Sequence, residues 1–215
     1  MIKIALLGAE STGKTQLAES LTATLCSRGH SVSHIPEYLR LWCDTAGRTP
    51  RAEEQWAIAN AQTARISQAP VATYLIADTT ALMTAVYSEL LFGDDSLYAI
   101  ALEQQRSFDL TLVMGLDLPW AADPLRDGPH SQAPVDVRLR AALARGNLPY
   151  QVVYGKNLAR IQNALLAIES ITAGAGEISA RGRFSSKNSV PWIWNCEKCS
   201  DPECEHRLFS SLLNR

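Results

Sequence analysis

A chain of 215 residues has room for one domain, or for one domain and a small appendage. Hydrophobic residues at 47% and charged residues at 20% are globular proportions and exclude a fibrous or wholly disordered chain. Lys and Arg number 20 against 22 Asp and Glu, a formal charge of −2, which argues against a nucleic-acid-binding protein. No apolar run approaches the ~18 residues of a membrane span. The start, MIKIALLGAE, lacks a secretory signal's apolar stretch and cleavage site, so the expectation is a cytoplasmic protein with no membrane partner.

In chain order, residues 2–7 (IKIALL) form an apolar run stopping at Gly8, the pattern of a buried strand. From Lys14, Leu17, Leu21 and Leu25 recur at helical spacing, and Arg28-Gly29 ends that helix. Residues 31–35 read as a second strand ending at Pro36. Residues 51–68 carry Trp56, Ile58, Ala59 and Ile66 among polar residues, which predicts an amphipathic helix with Trp56 in the core. TYLIA (73–77) is a third strand ending at Asp78, followed by helices near 79–92 and 96–107. LTLVM (110–114) is a fourth strand. Residues 117–135, rich in Pro, Asp and Gly, predict a long loop, with helix resuming over 136–145. Residues 151–154 are a fifth strand and 157–171 a last helix.

Strands alternating with helices imply an α/β fold with a five-stranded parallel sheet covered on both faces. The composition shifts near Gly174, where GAGEISARGRFSSKNSV reads as a flexible linker. The expected organisation is a main domain over 1–172, a linker over 173–190 and a Cys-rich appendage over 191–215. Cys26 and Cys43 are expected to be packing residues of the main domain.

The strongest signal is GAESTGKT, Gly8 to Thr15, a complete G-x-x-x-x-G-K-[ST] between a predicted strand and a predicted helix. The glycines permit a turn whose backbone N–H groups face phosphate oxygens, and the helix start adds its positive dipole end. Gly8, Glu10, Ser11, Thr12, Gly13, Lys14 and Thr15 are therefore the expected ATP-binding residues. Lys14 reaches the β/γ phosphates and the Thr15 hydroxyl ligates Mg²⁺. Glu10 would repel phosphate if it pointed inward, so its side chain is expected to turn outward.

The same string, with Glu at its third position, resembles the ribosylnicotinamide kinase domain of the NadR type, in the P-loop nucleoside-kinase-like group of AAA-type ATPases and kinases. PEYLRLW (36–42) resembles that family's Glu-Tyr-x-Arg segment, and EEQWAIANAQ its Gln-containing helix. LIADTT resembles its Asp-Thr-Asp motif, with Thr80 in place of the second Asp. DLTLVMGLDLPWAADPLRDG resembles its fourth strand followed by a Trp-x-x-Asp-x-x-Arg lid. The likeness covers about residues 2–170. It implies a P-loop kinase fold and transfer of phosphate from ATP to the 5′-hydroxyl of nicotinamide riboside or another nucleoside. Full-length members carry a nucleotidyltransferase domain before the kinase; this sequence begins at the phosphate loop, so that activity is not expected of it.

Phosphoryl transfer needs a carboxylate near the acceptor and cations over the phosphate. By the resemblance, Glu37 or Asp78 orients the acceptor hydroxyl and takes its proton, and Asp78 is the better candidate for a water-mediated contact with Mg²⁺. A helix N-terminal position for Glu37 and an N-cap for Asp78 are the structural alternatives. Tyr38 and Arg40 are candidate substrate contacts, an aromatic stack and a grip on substrate or phosphate. Gln62 lies on the predicted helix at 51–68. Arg126 is the candidate lid arginine, with Arg138 and Arg140 as alternatives.

In the tail, Cys196-x-x-Cys199 and Cys204-x-His206 give a Cys₃His set suited to a closed, structural Zn²⁺ site. Trp192 and Trp194 would anchor it on the main domain or on a second subunit of a homo-oligomer. The expectation is thus an ATP- and Mg²⁺-dependent small-molecule kinase. The rival readings are a kinase for another nucleoside or nucleotide, and a regulatory ATPase whose zinc tail docks a partner.

Overall fold

The computed structural model describes residues 1–120 and 129–177. Five strands form one fully parallel sheet: β1 (Ile2–Leu7), β2 (Val32–Ile35), β3 (Tyr74–Asp78), β4 (Leu110–Met114) and β5 (Gln151–Val153), in the order β2-β3-β1-β4-β5. The helices are α1 (Lys14–Ser27), α2 (Tyr38–Ala46), α3 (Gln55–Ser67), α4 (Ala81–Phe92), α5 (Tyr98–Gln105), α6 (Gln132–Arg145) and α7 (Asn157–Glu177). Residues Met1–Ala175 make one compact unit. No described helix is long and apolar enough to cross a membrane.

The side chains of a strand alternate between faces, so the sheet builds two cores. Ile4 and Leu6 of β1, Tyr74 and Ile76 of β3, and Leu110, Leu112 and Met114 of β4 pack against Leu17, Leu21 and Leu25 of α1 and Ala164, Leu165 and Ile168 of α7. Ala5, Leu7 and Val113 face the other way, onto α4, α5 and α6 through Leu82, Val86, Ala101, Leu139 and Leu143. Burial on both faces is why these strands read as continuous apolar runs.

The central strand sets where the site lies. Leu6 is level with Asp78 of β3 and Leu7 with Val113 of β4. The carboxyl ends of β1, β3 and β4 therefore meet at one edge, where ligands of open α/β sheets bind.

Three helices and one cysteine depart from expectation. α2, a helix not expected from the sequence, follows directly on Pro36-Glu37; Leu39, Trp42, Cys43 and Ala46 recur at helical spacing, but only Cys43 of its nine residues is buried. α3 is preceded by a 3-10 turn at Ala52–Glu54, and its inward face is Gln55, Ile58, Ala59, Gln62 and Ile66. That register leaves Trp56 43% exposed, so it is a surface residue and not a core one. α6 begins at Gln132, four residues before the expected 136, after a 3-10 turn at Pro129–Ser131. Pro134 falls in its first turn, where a missing N–H breaks no intrahelical bond. Cys26 is exposed rather than packed, while Cys43 is buried.

Candidate functional site

The phosphate loop takes the shape its sequence demands. Gly8 has φ +147° and Gly13 φ +77°, conformations that side chains disfavour. Space also forbids a side chain: a Cβ on Gly8 would lie 2.9 Å from Met114 Cβ, and one on Gly13 2.9 Å from Leu118 Cδ1. Ser11 adds φ +58°. Gly13 caps α1, whose first turn holds no acidic residue to offset its positive end. The Thr12 hydroxyl donates to Ala9 O at 2.7 Å, and Lys14 Nζ donates to Gly8 O and Ala9 O at 3.0 and 2.9 Å. The loop's carbonyls are thus turned inward, which leaves its amides to face an anion.

Above the loop opens a cavity of about 880 Å³. Every expected phosphate-loop residue lines it, together with Glu37 and Arg40. Glu10 is one of these wall residues, with Oε2 buried. Glu37 stands at the N-cap position of α2 without capping through its side chain, and its carboxylate lies 3.9 Å from Arg40 Nε. Cys43 also lines the cavity; burial, reinforced by Glu37 and Asp44, pushes its thiol up.

Asp78, 1% exposed, is not a cap: it ends β3, and Thr80 caps α4 by accepting from the Leu82 amide at 3.3 Å. Asp78 Oδ2 accepts from the Thr15 hydroxyl at 2.5 Å, while Oδ1 is buried with no hydrogen-bond partner. A buried carboxylate oxygen without a donor, beside the phosphate loop's threonine, is a hard anionic set that suits Mg²⁺. Thr80 points elsewhere, donating to Gln105 Oε1 at 2.7 Å, and Gln105 in turn donates to the Thr111 hydroxyl at 3.0 Å.

Other expected residues fall outside the cavity wall. The Tyr38 ring lies under the Arg65 guanidinium at 5.7 Å, and its amide donates to Gln62 Oε1 at 2.7 Å. Arg140 donates to Asp136 at 2.7 Å, a bond that raises its pKa, and Arg138 lies 3.8 Å from Glu89. Arg126 and the tail set Cys196, Cys199, Cys204 and His206 lie outside the described residues, as do Trp192 and Trp194. Among the described residues no group of three or more His, Cys, Asp or Glu could hold a metal.

Gln62, named in the sequence on the helix at 51–68, is buried on α3 and also donates to Thr79 O at 3.3 Å, which ties the start of α2 to the end of β3. The structure adds further residues that the sequence did not single out. Gln55, Met83, Tyr87, Leu91 and Phe92 line the cavity on the α3–α4 side, and Leu118, Pro119, Lys156 and Asn157 on the β4–β5 side. Arg160 is 4% exposed and bonds to loops after three strands. Its signal was present: 160, 164 and 168 share one helical face, and the other two are core residues.

Residues 3–160 match a family model described as an AAA domain. Two crystal structures of NadR protein share the fold, one in complex with NR and one with NAD and AMP-PNP. Each gives a TM-score of 0.64, at 20% and 19% identity over 80% and 86% of this chain. The chain spans about half the length of those proteins, 52% in both cases. Deoxyadenosine kinase from M. mycoides, solved with the products dCMP and a flexible dCDP, gives a TM-score of 0.53 at 16% identity, covering 80% of this chain and 100% of its own. No curated protein matches the sequence significantly.

Proposed function

The chain belongs to the AAA-domain family, and from that premise we propose that it is an ATP- and Mg²⁺-dependent kinase that phosphorylates a hydroxyl of a nucleoside-like small molecule. The observation that carries the reading is the Thr15–Asp78 pair at the mouth of the phosphate loop, with Asp78 Oδ1 buried and without a donor. Mg²⁺ held there by Thr15, with Asp78 directly or through water, would neutralise charge on the transferring phosphate.

The sheet order supports a side for each substrate. β1 and the phosphate loop are central, with β2 and β3 on one flank and β4 and β5 on the other. The β2–β3 flank carries the Glu37 and Arg40 wall and the exposed apolar side chains Leu91 and Phe92. We assign that flank to the acceptor and the β4–β5 flank, with Lys156 and Asn157, to the nucleoside part of ATP. Lys14 would leave the Gly8 and Ala9 carbonyls for the phosphates. The bond of Asp78 to Thr15 and the position of Glu37 on the cavity wall support Glu37 as the residue that orients the acceptor hydroxyl and takes its proton. Transfer needs no covalent intermediate; positioning and cationic stabilisation supply the rate.

For the acceptor, the ordered motifs of the sequence and the NR complex of the NadR fold support nicotinamide riboside. Thr80 does not oppose this. It performs the helix-capping role that an aspartate would also fill, away from the cavity wall, so ribose contacts fall to residues such as Glu37 and Arg40. The test is a product assay with ATP, Mg²⁺ and a nucleoside panel, read by mass spectrometry. Gain of one phosphoryl group on nicotinamide riboside supports the full reading, and gain on another nucleoside keeps the mechanism and replaces the substrate. ADP release with no phosphorylated acceptor overturns it. Zinc in the tail remains our proposal from ligand chemistry alone. Elemental analysis should find about one zinc per chain, lost in Cys199→Ser.

A further inference from the structure

One buried side chain reaches every loop on the nucleotide flank. Arg160, in the first turn of α7, donates through Nη2 to Thr12 O in the phosphate loop at 3.0 Å and to Gly115 O beyond β4 at 3.3 Å. Through Nη1 it donates to Gly155 O beyond β5 at 2.8 Å and to Asp117 Oδ1 at 3.0 Å. Asp117 closes the circuit, because its Oδ2 accepts from the Gly155 amide at 2.6 Å. Burial pushes the Asp117 carboxyl up, but the Gly155 amide and Arg160 outweigh it and hold the group below its usual range.

Each of these loops also contributes to the cavity: Gly13 next to Thr12, Leu118 and Pro119 next to Asp117, and Lys156 and Asn157 next to Gly155. A guanidinium is suited to this task because its planar fork fixes several acceptors at once, which an ammonium cannot do. Desolvating a charge at this depth is costly unless it is paired and hydrogen-bonded. Asp117 and the three carbonyls meet that requirement for both Nη groups, while Nε is buried without a partner.

We propose that Arg160, locked by Asp117, is a positioning residue that fixes the distance between the phosphate loop and the loop that flanks the nucleoside end of ATP, so that one nucleotide engages both together. It touches neither ligand nor reacting atoms. The inference rests on reading the cavity as an ATP site and is independent of the acceptor. Two ends bound by a rigid frame gain from being joined in one molecule; ends bound by loops free to drift lose that gain.

The experiment compares binding of MgATP with binding of magnesium tripolyphosphate by calorimetry, in wild-type protein, Asp117→Asn and Arg160→Lys. Asp117→Asn is the milder change, since Asp117 is partly exposed, and it keeps the measurement available if Arg160→Lys does not fold. The expected result is a loss of about tenfold in MgATP affinity, the scale of one charge-assisted hydrogen bond, with tripolyphosphate affinity held within about threefold. A loss equal for both ligands would mean that Arg160 merely supports the fold, and overturns the proposal. Unchanged binding of both ligands also overturns it. Wild-type protein that binds neither ligand would instead overturn the ATP-site reading from which the proposal starts.

Discussion

The two flanks of β1 are built differently. On the β4–β5 flank a single buried guanidinium ties the loops after β1, β4 and β5 together through backbone carbonyls and one carboxylate. On the β2–β3 flank the wall comes from α2, which buries one residue, and from the far end of α4, where Leu91 and Phe92 are exposed. That flank is held by the side chain of Gln62 and by a surface ion pair, Arg48–Glu54. The β4–β5 frame therefore rests on one buried arginine and one carboxylate acting on the backbone of three loops. The β2–β3 wall rests on fewer and more exposed contacts, so under the proposed reading it can change without disturbing that frame.

The largest effects should arise where the flanks meet. Lys14→Ala should abolish transfer, by at least about a hundredfold, while the thermal melt stays close to wild type. Retained turnover would refute the kinase assignment. Asp78→Asn should lower kcat by about a hundredfold and ATP affinity far less, because the lost charge serves the metal rather than the nucleotide's base. Equal losses in both would remove Asp78 from the metal site.

Next comes the acceptor wall. Gln62→Leu strands the Tyr38 amide and the Thr79 carbonyl, a cost of about 2 kcal/mol and a fall in Tm of roughly 4–8 °C. Because Gln62 aligns α2 with β3, the acceptor KM should rise while the ATP KM holds. A rise in the ATP KM alone would erase the distinction between the flanks.

What the sequence discloses follows the same division. The phosphate loop was legible because eight consecutive residues carry its pattern, and the positive φ of Gly8 and Gly13 is a local requirement. The strands were legible because burial on both faces writes them as apolar runs. The inward face of Arg160 was legible from its spacing with Ala164 and Ile168, but its partners were not, since its bond to Thr12 joins residues 148 apart and only packing reveals it. Trp56 misled for the opposite reason. An apolar count favours it for the core, whereas α3 turns two glutamines inward, Gln55 and Gln62, and leaves the indole outside. Asp78 and Thr80 are two residues apart, so which one caps α4 depends on where β3 ends, the boundary that sequence defines least well.

The smallest effect tests the most exposed part of the acceptor wall. Thr49 and Pro50 line the cavity from a loop clamped by Arg48, whose guanidinium donates to Glu54 at 2.6 and 2.8 Å and to Thr49 O at 3.0 Å. The same guanidinium stacks 5.0 Å from the Trp42 ring. Its bonds to Glu54, helped by the Arg51 amide, hold the Glu54 carboxyl at about 2, below its ordinary 4.5. A depressed carboxyl stabilises the fold above its unfolded pKa, and that contribution fades as the pH falls from about 4.5 towards 2. Wild type should therefore melt slightly above Glu54→Gln near neutrality, with the gap closing below pH 4.5 and narrowing in high salt, because both partners meet water. A gap that persists unchanged to pH 3 would show that Glu54 acts by packing instead. The clamp would then be as insulated from solvent as the Arg160 frame, and the two flanks would differ in what they bind but not in how they are held.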